Sequence, residues 1–157
     1  MIRLALAALA LAAAFLASPA HAGIGDTPLP HGFKLLYSVP AISGAGQVGP
    51  VFTCTNADKS QVTIGVELFD STGAAAGNPA TNRLVVPAGG TVNWALGAVT
   101  SMSVDNFFGV AFGNGKASAR IVATSTKVLC TAYMIDYSGG GPQANLTVVA
   151  KTKQKGE

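Results

Sequence analysis

The side chains from which this chain of 157 residues could build chemistry are few: two cysteines, two histidines and seven carboxylates. The cysteines stand far apart, Cys54 in "VFTCTN" and Cys130 in "KVLCTAY". Three chemistries compete for them: a disulfide, two buried free thiols, or a reactive or metal-ligating thiol. A zinc site needs four ligands at close spacing, and no CxxC or paired histidine accompanies either cysteine. Within its own segment each cysteine shares a face with apolar residues, Cys54 with Phe52 and Cys130 with Val128, Ala132 and Met134. The expected outcome is a Cys54–Cys130 bridge tying neighbouring strands or two sheets. It would stabilise by about 4 kcal/mol through loop closure in the unfolded chain.

Histidine is scarcer still. His21 lies in the leader described below, which leaves His31 in "PLPHGF". A Ser-His-Asp or Cys-His arrangement would have to be assembled around that one residue, and no GxSxG accompanies it. Type 1 copper chemistry needs two histidines and a cysteine. The carboxylates Asp58, Asp70 and Asp105 sit in turn-like contexts, where aspartate bonds its own backbone. Glu67 and Asp136 occupy strand or strand-end positions, and Asp26 and Glu157 lie near the ends. A glycosidase pair about 5–10 Å apart is not signalled, and no spacing matches a calcium loop. The expectation is no catalytic residue, no metal and no cofactor.

"GAGQVG" (44–49) matches G-x-G-x-x-G, but Pro50 and a strand-like segment follow where a dinucleotide site requires a helix. It reads as a loop between strands. "NLT" at Asn145 satisfies the glycosylation sequon and carries little weight. The aromatics give the one positive hint. Trp94 is the sole tryptophan, and Tyr133 and Tyr137 flank the end of the Cys130 segment, just before "SGGGPQ". Exposed aromatics at a loop end stack on sugars or anchor partners. Trp94, Tyr133 and Tyr137 are therefore the candidate contacts for a protein or carbohydrate partner, with core packing as the competing role for each.

The ends of the chain bound where such a site would work. "MIR" supplies a positive start, Leu4–Ala17 is an almost unbroken apolar run, and "SPAHA" ends in small residues at Ala20 and Ala22. That is the pattern of a secretory signal peptide, here residues 1–22, with a short Ala-rich leader of bacterial type. The run is short of the roughly 20 residues of a membrane span, so no stable membrane insertion is expected after cleavage. The expected destination is the periplasm or the cell exterior. From Gly23 to Ala150 six basic residues balance six acidic ones, and Lys151, Lys153 and Lys155 follow in the tail. The basic balance is a property of a mobile tail, 151–157, and no basic stripe exists to follow a nucleic acid backbone. Charged residues are 11% of the chain, against about 25% in an average soluble domain. One folded domain with a weakly charged surface is expected over residues 23–150.

Turn signals recur regularly, at 43–50, 56–60, 71–80, 87–90, 113–116 and 138–143. Between them lie short segments rich in Val, Ile, Thr, Phe and Tyr, as strands require. "QVTIGVELF" is the clearest, with Val62, Ile64, Val66 and Leu68 on one face and Thr63, Gly65 and Glu67 on the other. "TVNWAL" alternates similarly, and "ARIVATS" sets Ala119, Ile121 and Ala123 against Arg120, Val122 and Thr124, so that both of its faces are expected to be covered. Strands are expected near 33–39, 48–55, 61–69, 82–87, 91–96, 107–112, 118–125, 127–136 and 145–151, with one ambiguous helical turn in 99–106. Eight or nine short strands without a helical stripe predict an all-β, antiparallel β-sandwich. Immunoglobulin domains place a tryptophan soon after the first cysteine and a tyrosine two residues before the second. Here Trp94 is far downstream and Val128 holds the tyrosine position. The expected architecture is thus immunoglobulin-like without the immunoglobulin sequence signature.

Together these features predict an exported, non-catalytic binding or structural module. A self-assembling or strand-adding subunit of a surface structure, hence a homo-oligomer, is the alternative, because open sheet edges pair readily. A small secreted enzyme using carboxylates or His31 stands third.

Overall fold

A computed structural model describes residues 27–44, 46–99, 102–110, 116–139 and 141–150. The expected signal peptide (1–22) and basic tail (151–157) lie outside the described residues. Among the described residues eleven strands occur: β1 (Lys34–Ser43), β2 (Val48–Asn56), β3 (Val62–Phe69), β4 (Ala75–Ala76), β5 (Arg83–Val86), β6 (Thr91–Ala95), β7 (Asn106–Phe107), β8 (Lys116–Ala123), β9 (Val128–Asp136), β10 (Gly141–Asn145) and β11 (Val149–Ala150). One 3-10 turn, Pro79–Asn82, precedes β5; the Asn78 side chain caps it by accepting from the Ala80 N–H. One sheet runs β11-β1-β8-β3-β4, with β5 also on β3; the other runs β10-β9-β2-β6-β7. Pairing is antiparallel throughout except β6 with β7. Among the described residues no helix is long and apolar enough to cross a membrane.

The two sheets pack face to face, as alternating sequence dictates. Val62, Ile64, Val66 and Leu68 of β3 and Ala119, Ile121 and Ala123 of β8 point inward from one sheet; Phe52, Cys54, Trp94 and Val128 meet them from the other. Phe52 and Phe108 meet edge to face, with ring centres 5.7 Å apart. Apolar area leaving water at this seam is the main driving force for the fold.

Both outer faces are partly covered too. On the β3/β8 sheet, the N-terminal segment meets Arg120 through the Thr27 and Pro28 carbonyls and Arg83 through the Phe33 ring. On the β2/β9 sheet, Val51, Ala95, Val99 and Ile135 form a smaller cluster, with Met102 and Val104 folded over it. Such satellite clusters lie under long loops. This double covering explains why several strands read as apolar on both faces.

Several strand expectations require correction. The expected strand 107–112 is reduced to the two-residue β7, with 111 and 112 outside the described residues. The expected strand 145–151 is divided. β10 belongs to one sheet and β11 to the other, because Leu146 and Val148 turn inward onto the core as the chain crosses between them. "SGGGPQ" is no simple loop, since Gly141 and Pro142 already pair with Asp136 and Ile135 of β9. β1 runs on to Ser43 through an irregularity at Pro40–Ala41, where Ala41 adopts φ 57°. In 99–106 the described residues 102–105 form bends and no helical turn.

Candidate functional site

The cysteines are bonded to each other. Cys54 and Cys130 are direct cross-strand partners on β2 and β9, with Cα atoms 4.2 Å apart. Of the two arrangements expected, neighbouring strands or two sheets, the bridge is the first; immunoglobulin bridges are of the second kind. Cys54 is fully buried and Cys130 packs against the same core.

Trp94 does not reach the surface. It has no exposed area, and its indole N–H donates to the Asn82 carbonyl at 3.0 Å. Its place as a candidate partner contact is therefore corrected: an inward position on β6 makes it a core side chain. The polar tip, which needs a partner when buried, is satisfied by the 3-10 turn.

Tyr133 and Tyr137 are brought together on the outer cluster of the β2/β9 sheet. The Tyr133 hydroxyl donates to Met102 Sδ at 3.3 Å. The Tyr137 hydroxyl donates to the Pro50 carbonyl at 3.2 Å and accepts from the Leu96 N–H at 3.1 Å. Burial raises the Tyr137 phenol above its ordinary value, against the lowering effect of the backbone donors at Leu96 and Gly97. The ring occupies space left by two glycines. A Cβ on Gly49 would stand 2.6 Å from the Tyr137 oxygen, and one on Gly97 would stand 3.3 Å from the ring. A cleft of about 360 Å³ opens beside the ring, bounded by Gly44, Gly46, Val48, Leu96 and Val110. It offers a ring edge and glycine backbone, with the hydroxyl already engaged on both sides.

"GAGQVG" sits here. Gly46 and Gln47 form the turn from β1 to β2, and the Gln47 carbonyl accepts from the Tyr137 N–H at 2.7 Å. No helix follows, so the motif serves a strand-to-strand connection.

The described carboxylates are engaged in local structure. Asp70 accepts from the Thr72 hydroxyl and from the Thr72 and Ala74 N–H groups. Asp136 accepts from the Ser138 hydroxyl and N–H. Asp58 accepts from the Ser125 hydroxyl and the Lys59 N–H, with Lys127 at 3.5 Å. All three are held below the ordinary carboxylate value, chiefly by the hydroxyl donors. Asp105 accepts from the Asn93 N–H. His31 is exposed in a turn of the N-terminal segment. Among the described residues no three His, Cys, Asp or Glu side chains converge as a metal cluster.

The sequence reading missed a buried ion cluster. Glu67 (2% exposed) accepts from Arg120 Nε at 2.6 Å and meets Arg83 at 3.5 Å. Arg120 (1% exposed) stacks over Phe69 and donates to the Thr27 and Pro28 carbonyls. Arg83 lies over Phe33. Glu67 looked solvent-facing because its strand alternates; in the fold it is buried beside Arg120 and Arg83, and Arg120 in turn carries the Thr27 and Pro28 carbonyls. The one usable signal was Arg120 inside a segment expected to be covered on both faces.

A second feature left no sequence signal. An apolar groove of about 540 Å³ lies between Leu29 and Phe33 of the N-terminal segment, Leu35–Tyr37 of β1 and Ala150 of β11, with Lys34 and Thr126 completing its walls. Its parts come from the two ends of the chain and one loop.

No protein-family model and no curated protein sequence matches the chain. Among solved structures it is similar to the Anabaena sensory rhodopsin transducer, at a TM-score of 0.42 and 12% identity, over 62% of this chain and 91% of that one. It is also similar to "PfGH50B", at 0.40 and 14% identity, over 78% of this chain and 19% of that one. An exo-beta-agarase gives 0.33 and 10% identity, over 75% of this chain and 24% of that one. The chain therefore spans about a fifth to a quarter of the length of these last two.

Proposed function

We propose that the chain is an exported, non-catalytic β-sandwich acting as a binding or structural module in the periplasm or at the cell exterior of a bacterium. The observation that carries this reading is the Cys54–Cys130 bond. Disulfides persist in oxidising compartments and are rare in a reducing cytosol, which agrees with a leader cleaved after Ala22. The non-catalytic part is supported by the described carboxylates Asp58, Asp70, Asp136 and Glu67, whose oxygens are engaged by neighbouring hydroxyls, turn backbones or Arg120. Fractionating cells and weighing the protein with and without reductant tests the first part. An unprocessed cytosolic chain, or two free thiols, overturns export. A broad hydrolase panel tests the second, and any activity abolished by a single substitution at His31 or a carboxylate overturns it.

Strand addition is the second reading, and one observation favours it. β11 pairs with β1 at Tyr37 and Ser38 only, so among the described residues most of that edge of β1 has no strand beside it. An open edge is a template for another chain. Pro40 and the irregularity at Ala41 interrupt the same edge, which is how monomeric proteins blunt it. Light scattering across a concentration series decides, since a strict monomer removes self-assembly.

A further inference from the structure

We infer that the Cys54–Cys130 bond is open to thiol exchange at one sulfur only, so that a thiol from solution is taken up on Cys130 while the sandwich stays folded. This goes beyond the binding-module reading: it assigns a modification site and the chemical class of its partner, a thiolate.

The two sulfurs have unequal surroundings. Cys54 lies on β2, between β9 on one side and β6 on the other, and has no exposed area. Cys130 lies on β9, whose second neighbour covers only part of its length. β10 reaches from Gly141, opposite Asp136, to Asn145, opposite Tyr133. The Leu146 N–H still donates to the Ala132 carbonyl at 2.9 Å, and there the chain turns inward onto the core. Near the start of β9 the Val128 carbonyl is taken by the Tyr37 hydroxyl at 2.7 Å. Cys130 falls midway between these two contacts, and among the described residues no strand pairs with that stretch of edge. It is accordingly only half-buried, and Leu129 and Thr131 on either side of it are exposed.

The chemistry follows from that inequality. Thiol exchange proceeds by attack of a thiolate on whichever disulfide sulfur it can reach. A bond forms from the incoming sulfur to Cys130 Sγ, the Cys54–Cys130 bond breaks, and its electron pair goes to Cys54 Sγ. An apolar core disfavours a thiolate, so Cys54 takes up the proton that the attacking thiol has lost. One thiol and one disulfide thus give a mixed disulfide on Cys130 and a buried thiol on Cys54, with no external oxidant or reductant. Attack on Cys54 would require a charged sulfur inside the sandwich, which burial opposes. The pairs Phe52–Ala132, Thr53–Thr131 and Thr55–Leu129 still hold β2 to β9 when the bridge is open.

The test uses the oxidised, folded chain from Gly23 onward, which contains every described residue. It is incubated with reduced glutathione, quenched in acid at early times, and the adduct is located by peptide mass spectrometry. Glutathione should appear on the Cys130 peptide at least about tenfold above the Cys54 peptide. The initial rate should not change in urea well below the unfolding midpoint. Adduct on Cys54, adduct shared equally, or no adduct overturns the inference. So does a rate that rises with urea, because the sulfur would then be reached only in the unfolded chain. Single variants give a second measurement in which no internal thiol can expel the adduct. With oxidised glutathione, Cys130 in Cys54→Ser should react about tenfold faster than Cys54 in Cys130→Ser. Equal rates in the two folded variants overturn the inference; if either variant does not fold, the parent decides. A chain with two free thiols fails both this inference and the export reading, whereas a bridged chain without adduct fails this inference alone.

Discussion

Cys54 and Cys130 face each other across adjacent strands of one sheet, so their bond joins chain segments 76 residues apart without linking the two sheets. Phe52–Ala132 and Thr53–Thr131 on one side, and Thr55–Leu129 on the other, are paired in the same register. The bridge therefore locks a ladder that hydrogen bonds already specify. Its effect is mainly on the unfolded chain, where it removes the freedom of a long loop.

Reducing the bond, or replacing both cysteines by serine, should lower stability by about 4 kcal/mol while leaving the β-sheet circular dichroism of the folded protein unchanged. Urea unfolding with and without reductant measures this. A midpoint indifferent to reductant would show that the bridge contributes nothing to holding the fold.

The Glu67–Arg120 pair supports a second prediction. Removing one member of a buried ion pair strands the other, at a cost of about 3–5 kcal/mol. Glu67→Gln should approach the lower figure, because Arg120 keeps the Thr27 and Pro28 carbonyls and the Phe69 ring. Arg120→Met should also loosen the N-terminal segment, since it removes the donors that hold those carbonyls. Limited proteolysis between Thr27 and Phe33 reads this directly: faster cleavage in Arg120→Met than in the parent is expected, and equal rates would mean the segment is held elsewhere.

How much of this was legible in the sequence depended on whether a signal was local. The period-2 alternation of Val62–Leu68 named the inward face of β3, because side chains on a strand alternate whatever surrounds it. The cysteines could be paired because export and scarcity leave few other uses for them. Trp94 was misplaced for the opposite reason. Its role depends on what lies across from β6, and nothing near it in the chain says that Asn82 will meet its N–H. The burial of Glu67 and the walls of the groove are likewise products of distant segments. Tyr133 and Tyr137 were read as flanking the end of the Cys130 segment; the loop that folds Met102 and Val104 against them has no periodic pattern to announce it.

Gly49 and Tyr137 give a third prediction, since the glycine leaves the space that the phenol fills. Gly49→Ala would place a methyl 2.6 Å from the Tyr137 oxygen and 2.9 Å from Cε2. The ring must move, at a cost of about 1–3 kcal/mol, and its bonds to Pro50 and Leu96 go with it. In the double variant with Tyr137→Leu the penalty should be much smaller than the sum of the two singles, as expected for residues in contact. Strictly additive unfolding free energies would mean that the two sites do not meet.

The same tyrosine sets an alkaline limit. Its folded value lies above the ordinary 10.0 because burial disfavours the phenolate. Above that pH the unfolded chain loses the proton first, so folding becomes less favourable as pH rises. Stability should be flat approaching pH 10 and fall beyond it, and Tyr137→Phe should reduce that slope. Thermal melts from neutral to strongly alkaline pH measure the difference; identical slopes would remove Tyr137 as a source.

Acid should act through the turns. Asp58, Asp70 and Asp136 are each lowered from the ordinary value of 3.8, first by the hydroxyls of Ser125, Thr72 and Ser138. A carboxylate with a depressed folded value favours the folded state fully above its unfolded value, and that advantage disappears as pH falls through the folded one. Stability should therefore hold down to about pH 4 and decline below it. All three groups are solvent-accessible, so each contributes little alone and salt should blunt the effect. Asp70→Asn should shallow the decline and cost some stability at neutral pH, because an amide accepts less strongly from Thr72 and the backbone of 72–74. Urea midpoints measured from neutral pH to pH 2 in parent and variant decide the matter. If both curves fall with the same slope, Asp70 is not among the groups that hold its turn in acid.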